Sequence, residues 1–123
     1  MTQNALHITM EPMPRNIAYL MLGGTLDAST YVQLEQTLNK VIEGGRCRIA
    51  VDLSRLEFIS SAGINVLTAA SKAAREKGGA LVLVNPSDKI RQVLDILCLT
   101  PIFTIVETVH AAQQALEDPF LKP

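Results

Sequence analysis

The chain has 123 residues, with 11 Lys+Arg against 12 Asp+Glu for a formal net charge of −1, and 48% of its residues are hydrophobic. That length suits one domain and that apolar content suits one real core, which excludes a disordered chain. Near-neutral charge removes the broad basic surface that phosphate-backbone binding requires, and 2 Tyr and 3 Phe with no Trp leave little to stack on bases, so nucleic acid is not an expected partner.

Leu6 to Met10 alternates apolar and polar residues, Ile17 to Leu22 is a nearly unbroken apolar run, and Glu11 to Asn16 with Pro12 and Pro14 forms a turn-rich connector. This pattern predicts an antiparallel hairpin. Ala28 to Gly44 places Tyr31, Leu34, Leu38, Val41 and Ile42 on one helical stripe, opposite Gln33, Glu35, Asn39 and Lys40. Asp27 or Ser29 can cap that helix, and Gly44 and Gly45 stop it. Arg48 to Leu53 reads as a buried parallel strand that Asp52 helps to close, and Ala62 to Lys77 as an Ala-rich helix ended by Gly78 and Gly79. Ala80 to Val84 is a second buried strand. Ser87 caps a helix carrying Ile90, Val93, Leu94 and Leu97, Ile102 to Val106 is the last strand and Val109 to Leu116 the last helix. The order is ββαβαβαβα. Strands alternating with helices over short connections imply an α/β fold with a mostly parallel mixed sheet and one N-terminal antiparallel edge strand.

A single domain over 1–123 is expected, with Glu117 to Pro123 as a short tail. Cys47 and Cys98 show neither a C-x-x-C pair nor a dense cysteine framework, and read as reduced thiols in or near the core. Met1 to Met10 lacks a basic stretch followed by an apolar one, and the apolar runs fall far short of the roughly 20 residues that cross a bilayer. A soluble, cytoplasmic protein without membrane insertion is the expectation.

In open α/β sheets, sites collect beyond the carboxyl ends of the strands. Two segments are expected there as loops: Gly23 to Asp27, whose glycines permit a bulge or close backbone approach, and Leu56 to Gly63. Ser60 and Ser61 fall at a helix start, where one serine can serve as the N-cap and where the dipole and unpaired N–H groups favour a carboxylate or phosphate. Leu56, Phe58, Ile59, Ile64 and Leu67 around them suit an apolar docking surface. Catalytic readings find less support. Ser61 lies in Ser-Ser-Ala-Gly rather than G-x-S-x-G, and the only histidines are His7, on the edge strand, and His110, in the last helix. Gly23-Gly24 leads into no P-loop lysine, and Asp27, Asp52 and Glu57 are too scattered for a metal. A binding module with no cofactor is expected, not an enzyme.

Asp52-Leu53-Ser54 through Phe58-Ile59-Ser60-Ser61-Ala62-Gly63-Ile64-Asn65-Val66-Leu67 resembles the signature of the STAS domain, the family of bacterial anti-sigma factor antagonists. Gly24-Thr25-Leu26-Asp27-Ala28-Ser29-Thr30 resembles that family's G-x-L-D-x-x-T stretch before the first helix. The resemblance covers nearly the whole chain. It implies a partner-switching antagonist, in which the unphosphorylated form binds an anti-sigma factor serine kinase of the histidine-kinase-like ATPase superfamily and frees the sigma factor. Phosphorylation ends that binding, and a PP2C-type phosphatase restores it. Mapped onto this chain, the phosphoacceptor is Ser61, with Ser60 as the second candidate, and the partner-binding residues are Asp27, Phe58, Ser60, Ser61, Ala62, Gly63 and Ile64. Family members often carry Asp where this chain has Ser60. Two alternatives use the same fold: an unphosphorylated scaffold or adaptor subunit of a lipid-transport or stress-signalling assembly, and a small nucleotide- or lipid-binding domain.

Overall fold

The computed structural model describes residues 5–97 and 103–117. The elements follow the expected order: β1 (Leu6–Pro12), β2 (Ile17–Leu26), α1 (Tyr31–Glu43), β3 (Arg48–Ile59), α2 (Ser61–Glu76), β4 (Ala80–Val84), α3 (Asp88–Ile96), β5 (Thr104–Val106) and α4 (Val109–Glu117). The five strands form one sheet in the order β1-β2-β3-β4-β5. β1 pairs antiparallel with β2, and the remaining pairs are parallel. The predicted hairpin is present, its connector tightened by a 3₁₀ turn over Pro14–Asn16 with Arg15 and Asn16 at positive φ.

The sheet divides the core. On one face α1, α2 and α3 bury Leu34, Leu38, Ile64, Leu67, Ile90 and Leu94 against Leu20, Leu22, Ile49, Val51 and Leu83. On the other face α4 lays Ala112 and Leu116 on Ile17, Tyr19, Ala50, Val82 and Val84. β3 and β4 therefore carry apolar residues on both faces, as central parallel strands covered on both sides must. The stripe predicted for α1 is the buried one, Leu34, Leu38, Val41 and Ile42.

Several expectations need correction. α1 starts at Tyr31 rather than Ala28, because Asp27 to Thr30 form a hydrogen-bonded turn. β2 runs to Leu26 and β3 to Ile59, so Gly23 to Leu26 and Leu56 to Ile59, expected as loops, are paired strand. The pairing survives through register shifts between Met21 and Gly23 and between Gly24 and Thr25. Gly24 sits at φ +90, where a Cβ would stand 2.3 Å from the Ala5 carbonyl oxygen, so β1 can approach only a glycine here. Asp52 lies inside β3 rather than at its end. Leu97, expected on the inner stripe of α3, is the C-cap and half exposed. β5 begins at Thr104; Ile102, Cys98 and the tail after Glu117 lie outside the described residues. Cys47 is free and partly buried. Among the described residues no helix is long and apolar enough to cross a membrane.

Candidate functional site

The parallel strands end on one rim, and β2 and β3 meet there in register, Leu26 opposite Ile59. The Ser60 N–H donates to the Leu26 carbonyl at 2.9 Å, so the residues that follow, Asp27 on one strand and Ser60 and Ser61 on the other, leave the sheet side by side.

The turn after β2 is built by Asp27 and Thr30. Asp27 Oδ1 accepts from the Ser29 N–H at 2.9 Å and the Ser29 hydroxyl at 2.7 Å, closing an Asx turn. Its carbonyl accepts from the N–H groups of Thr30 and Tyr31, which launches α1. The buried Thr30 hydroxyl accepts from the Asp27 N–H at 2.9 Å and donates to the Thr25 carbonyl at 2.8 Å. Thr30 thus stands in the N-cap position of α1 without capping it, because its hydroxyl is spent on the turn. The sequence signal for this role of Thr30 is the spacing of a threonine three residues after an aspartate.

Ser60 occupies the N-cap position of α2 in an extended conformation, φ −103 and ψ 173, yet makes no side-chain cap bond. Its Oγ is buried and is the one buried side-chain oxygen or nitrogen without a partner among the described residues. Ser61 is the first residue of the 16-residue helix and is exposed. Its hydroxyl therefore stands in solvent at the positive end of α2, where a phosphate meets unpaired N–H groups.

The apolar surface expected around the serines is smaller than the sequence suggests. Leu56, Ile59, Ile64 and Leu67 are all at most 4% exposed and belong to the core. Gly63 is buried too: a Cβ there would lie 2.4 Å from Leu26 Cγ and 3.3 Å from Ile59 Cγ1, so it lets α2 settle directly on the ends of β2 and β3. Phe58 alone of that cluster stays open, at 45%, because the register shift after Gly24 pairs it with Thr25 and turns it away from the three-helix face. At the rim Phe58 and Ser61 are exposed, Asp27, Ser60 and Ala62 are half-buried, and Gly63 and Ile64 are buried.

A polar pair that the sequence did not reveal lies in the middle of the sheet. The Tyr19 hydroxyl donates to Asp52 Oδ2 at 2.5 Å, and Asp52 Oδ1 accepts from the Ser54 N–H at 2.8 Å. Burial, and then the hydrogen bond to Asp52, push the Tyr19 phenol far above its ordinary value of 10.0. A tyrosine held neutral there acts as a sheet cross-link rather than a base.

The model of the STAS domain matches residues 11–112. The chain is 33% identical over 96 residues, 78% of this chain and 83% of the relative, to BtrV of Bordetella bronchiseptica, which is provisionally assigned as an anti-sigma factor antagonist. It is 30% identical over 99 residues, 78% of each chain, to the anti-sigma-F factor antagonist RsfB of Mycobacterium tuberculosis. Among solved structures, the anti-sigma factor antagonist SpoIIAA in its unphosphorylated form superposes with a TM-score of 0.76 at 24% identity, covering 88% of this chain and 94% of that one. SpoIIAA has also been solved in its phosphorylated form, with a TM-score of 0.70. With the five-stranded mixed sheet and both motifs in their expected places, the chain belongs to the STAS domain family.

Proposed function

We propose that this domain is an anti-sigma factor antagonist that works by partner switching. In its unmodified form it binds an anti-sigma factor that is also a serine kinase, through Asp27, Phe58, Ser61 and the exposed parts of Ser60 and Ala62, and so frees the sigma factor. The observation that carries this reading is Ser61 itself, an exposed residue on the first turn of α2, next in sequence to Ser60, whose N–H bonds to the carbonyl of Leu26 just before Asp27. The names of BtrV and RsfB support it, as does the existence of SpoIIAA in a phosphorylated form.

In the switching step the Ser61 oxygen takes the γ-phosphoryl group of the kinase's ATP, the phosphoanhydride bond breaks, ADP leaves and the hydroxyl proton passes to a base on the kinase. The product carries about −1.5 to −2 additional charge. Within the free domain that charge rests on the positive end of α2. Within the complex it must be desolvated beside Asp27 and an apolar contact at Phe58, so the complex comes apart while the fold stays intact. A PP2C-type phosphatase that hydrolyses the phosphoserine resets the switch. The domain binds and is modified; it catalyses nothing itself.

The test is a side-by-side capture from source-cell lysate with wild type, Ser61→Ala and Ser61→Asp as baits. Wild type and Ser61→Ala are expected to retain a serine kinase of the anti-sigma type, and Ser61→Asp to lose it; incubation with that kinase and ATP should label wild type but not Ser61→Ala. Equal capture of the kinase by wild type and Ser61→Asp would overturn the switch.

A further inference from the structure

At the far end of α1 from Asp27, about 20 Å along a 13-residue helix, the last turns of α1 and the edge strand β1 enclose a cleft of ≈330 Å³ lined by Met10, Thr37, Lys40, Val41, Gly44 and Arg46. That volume lies at the lower end of the range for small-molecule sites, about 300–1,000 Å³. Its wall is carbon: Met10 is 46% exposed, Val41 is the edge of the main core, and Gly44 contributes no side chain.

The polar groups nearby are already engaged. The Thr37 hydroxyl donates to the Gln33 carbonyl at 2.9 Å. The closing carbonyls of α1 are also satisfied, Lys40 by the Gly44 N–H, Val41 by the Arg46 N–H and Ile42 by the Gly45 N–H. A sugar or nucleobase in this cleft would leave its own donors and acceptors unpaired. Two cations remain, Lys40 and Arg46, and neither has an ion-pair partner among the described residues, where the one ion pair joins Arg15 and Glu117. Both line the cleft, and among the described residues no carboxylate does.

We propose that this cleft binds a free medium-chain carboxylate, its alkyl chain against Met10, Val41 and Gly44 and its head between Lys40 and Arg46. The aliphatic stems of the two cations extend the apolar wall while their charged ends meet the carboxylate. An uncharged chain of the same length gains the apolar contact alone. The inference is independent of partner switching, because the cleft and the serine rim occupy opposite ends of α1.

The experiment is a titration of the ¹⁵N-labelled full chain with decanoate, and in parallel with decanol, below the micellar concentration. Saturable shifts are expected at the amides of Met10, Thr37, Gly44 and Arg46, with decanoate binding about tenfold more tightly than decanol, the scale of one charge-assisted contact. The Lys40→Glu/Arg46→Glu double variant, with both changes in the cleft lining, should lose decanoate binding by a similar factor and weaken decanol binding much less. Met10→Glu, at an exposed strand position, gives a second variant that should weaken both. The proposal is overturned by shifts that do not saturate, by shifts centred elsewhere, by decanoate affinity that survives the charge reversal, or by association with phosphatidylglycerol vesicles in the absence of decanoate binding.

Discussion

Ser60 sits where serine ordinarily stabilises a helix, yet its hydroxyl is buried and bonds to nothing among the described residues. A working N-cap serine replaced by alanine costs about 1 kcal/mol. Here the substitution removes an unpaired buried hydroxyl instead, and Ser60→Ala is expected to leave stability unchanged or raise it by up to about 1 kcal/mol. Urea denaturation of the two proteins measures this, and a loss near 1 kcal/mol would mean that the hydroxyl caps α2 in solution. Tyr19 presents the opposite case, a buried hydroxyl fully used. Burial, the hydrogen bond to Asp52 and the negative charges of Asp52 and Glu11 all favour its neutral form. Above the ordinary phenol value of 10.0 the unfolded chain releases this proton while the folded chain keeps it. The unfolded state then binds fewer protons, so stability falls as pH rises past that value, by at most about 1.4 kcal/mol per pH unit from this group. Below it the Tyr19 contribution is complete and flat. Tyr19→Phe should cost about 1 kcal/mol at neutral pH, and its stability should fall less steeply than wild type between about pH 9 and about pH 11. Parallel slopes would show that the phenol titrates alike in both states.

At the scale of elements, the contact between α2 and the paired ends of β2 and β3 shapes the rim. Gly63 permits that contact, since Leu26 is fully buried and cannot swing away from an added methyl. Gly63→Ala is therefore expected to cost about 1–3 kcal/mol by overpacking, despite alanine's better helix propensity. A thermal melt at or above that of wild type would show that α2 can shift without penalty. The same contact explains what could and could not be read from the sequence. α1 and α2 were legible because their apolar residues recur at helical spacing, and β4 because it is an unbroken apolar run after Gly78 and Gly79. The second half of β3 was not, because its buried residues Leu53, Leu56 and Ile59 recur every three positions, a spacing produced by register shifts against β2 rather than by the alternation of a regular strand. With that half taken for a loop, Leu56, Ile59 and Ile64 looked available to a partner; once it is paired, their side chains turn inward and Phe58 alone turns out. The helix start at Ser60 and Ser61 was legible, since two serines precede an Ala-rich helical run. The Tyr19–Asp52 bond was not, because nothing local marks a pair 33 positions apart.

For the whole molecule, the placement of the rim decides how a switch can work. β2 and β3 pair over most of their length, and from Arg48 to Asp52 β3 is also paired with β4 and covered on both faces, with Leu20, Ile49, Ala50, Val51, Val82 and Leu83 all fully buried. At the margin, β5 has three residues, none fully buried, and β1 is exposed from Thr9 to Pro12. Local opening should therefore begin at the sheet's edges, and the strands β2 and β3 that lead to Asp27 and Ser61 should open only with the whole domain. In native-state hydrogen exchange, the hydrogen-bonded amides of Ile49 to Asp52 and Leu81 to Leu83 are expected to be the slowest, and those of Thr104 to Val106 to exchange at least about tenfold faster. Ser61→Asp should keep the slow set unchanged, because a carboxylate on the first turn of α2 is favoured by the helix dipole, by about 0.3–1 kcal/mol. Faster exchange across β2 and β3 in that variant would mean that charge at Ser61 acts by loosening the domain. Unchanged exchange together with lost partner binding would place the switch entirely in the surface charge of the rim.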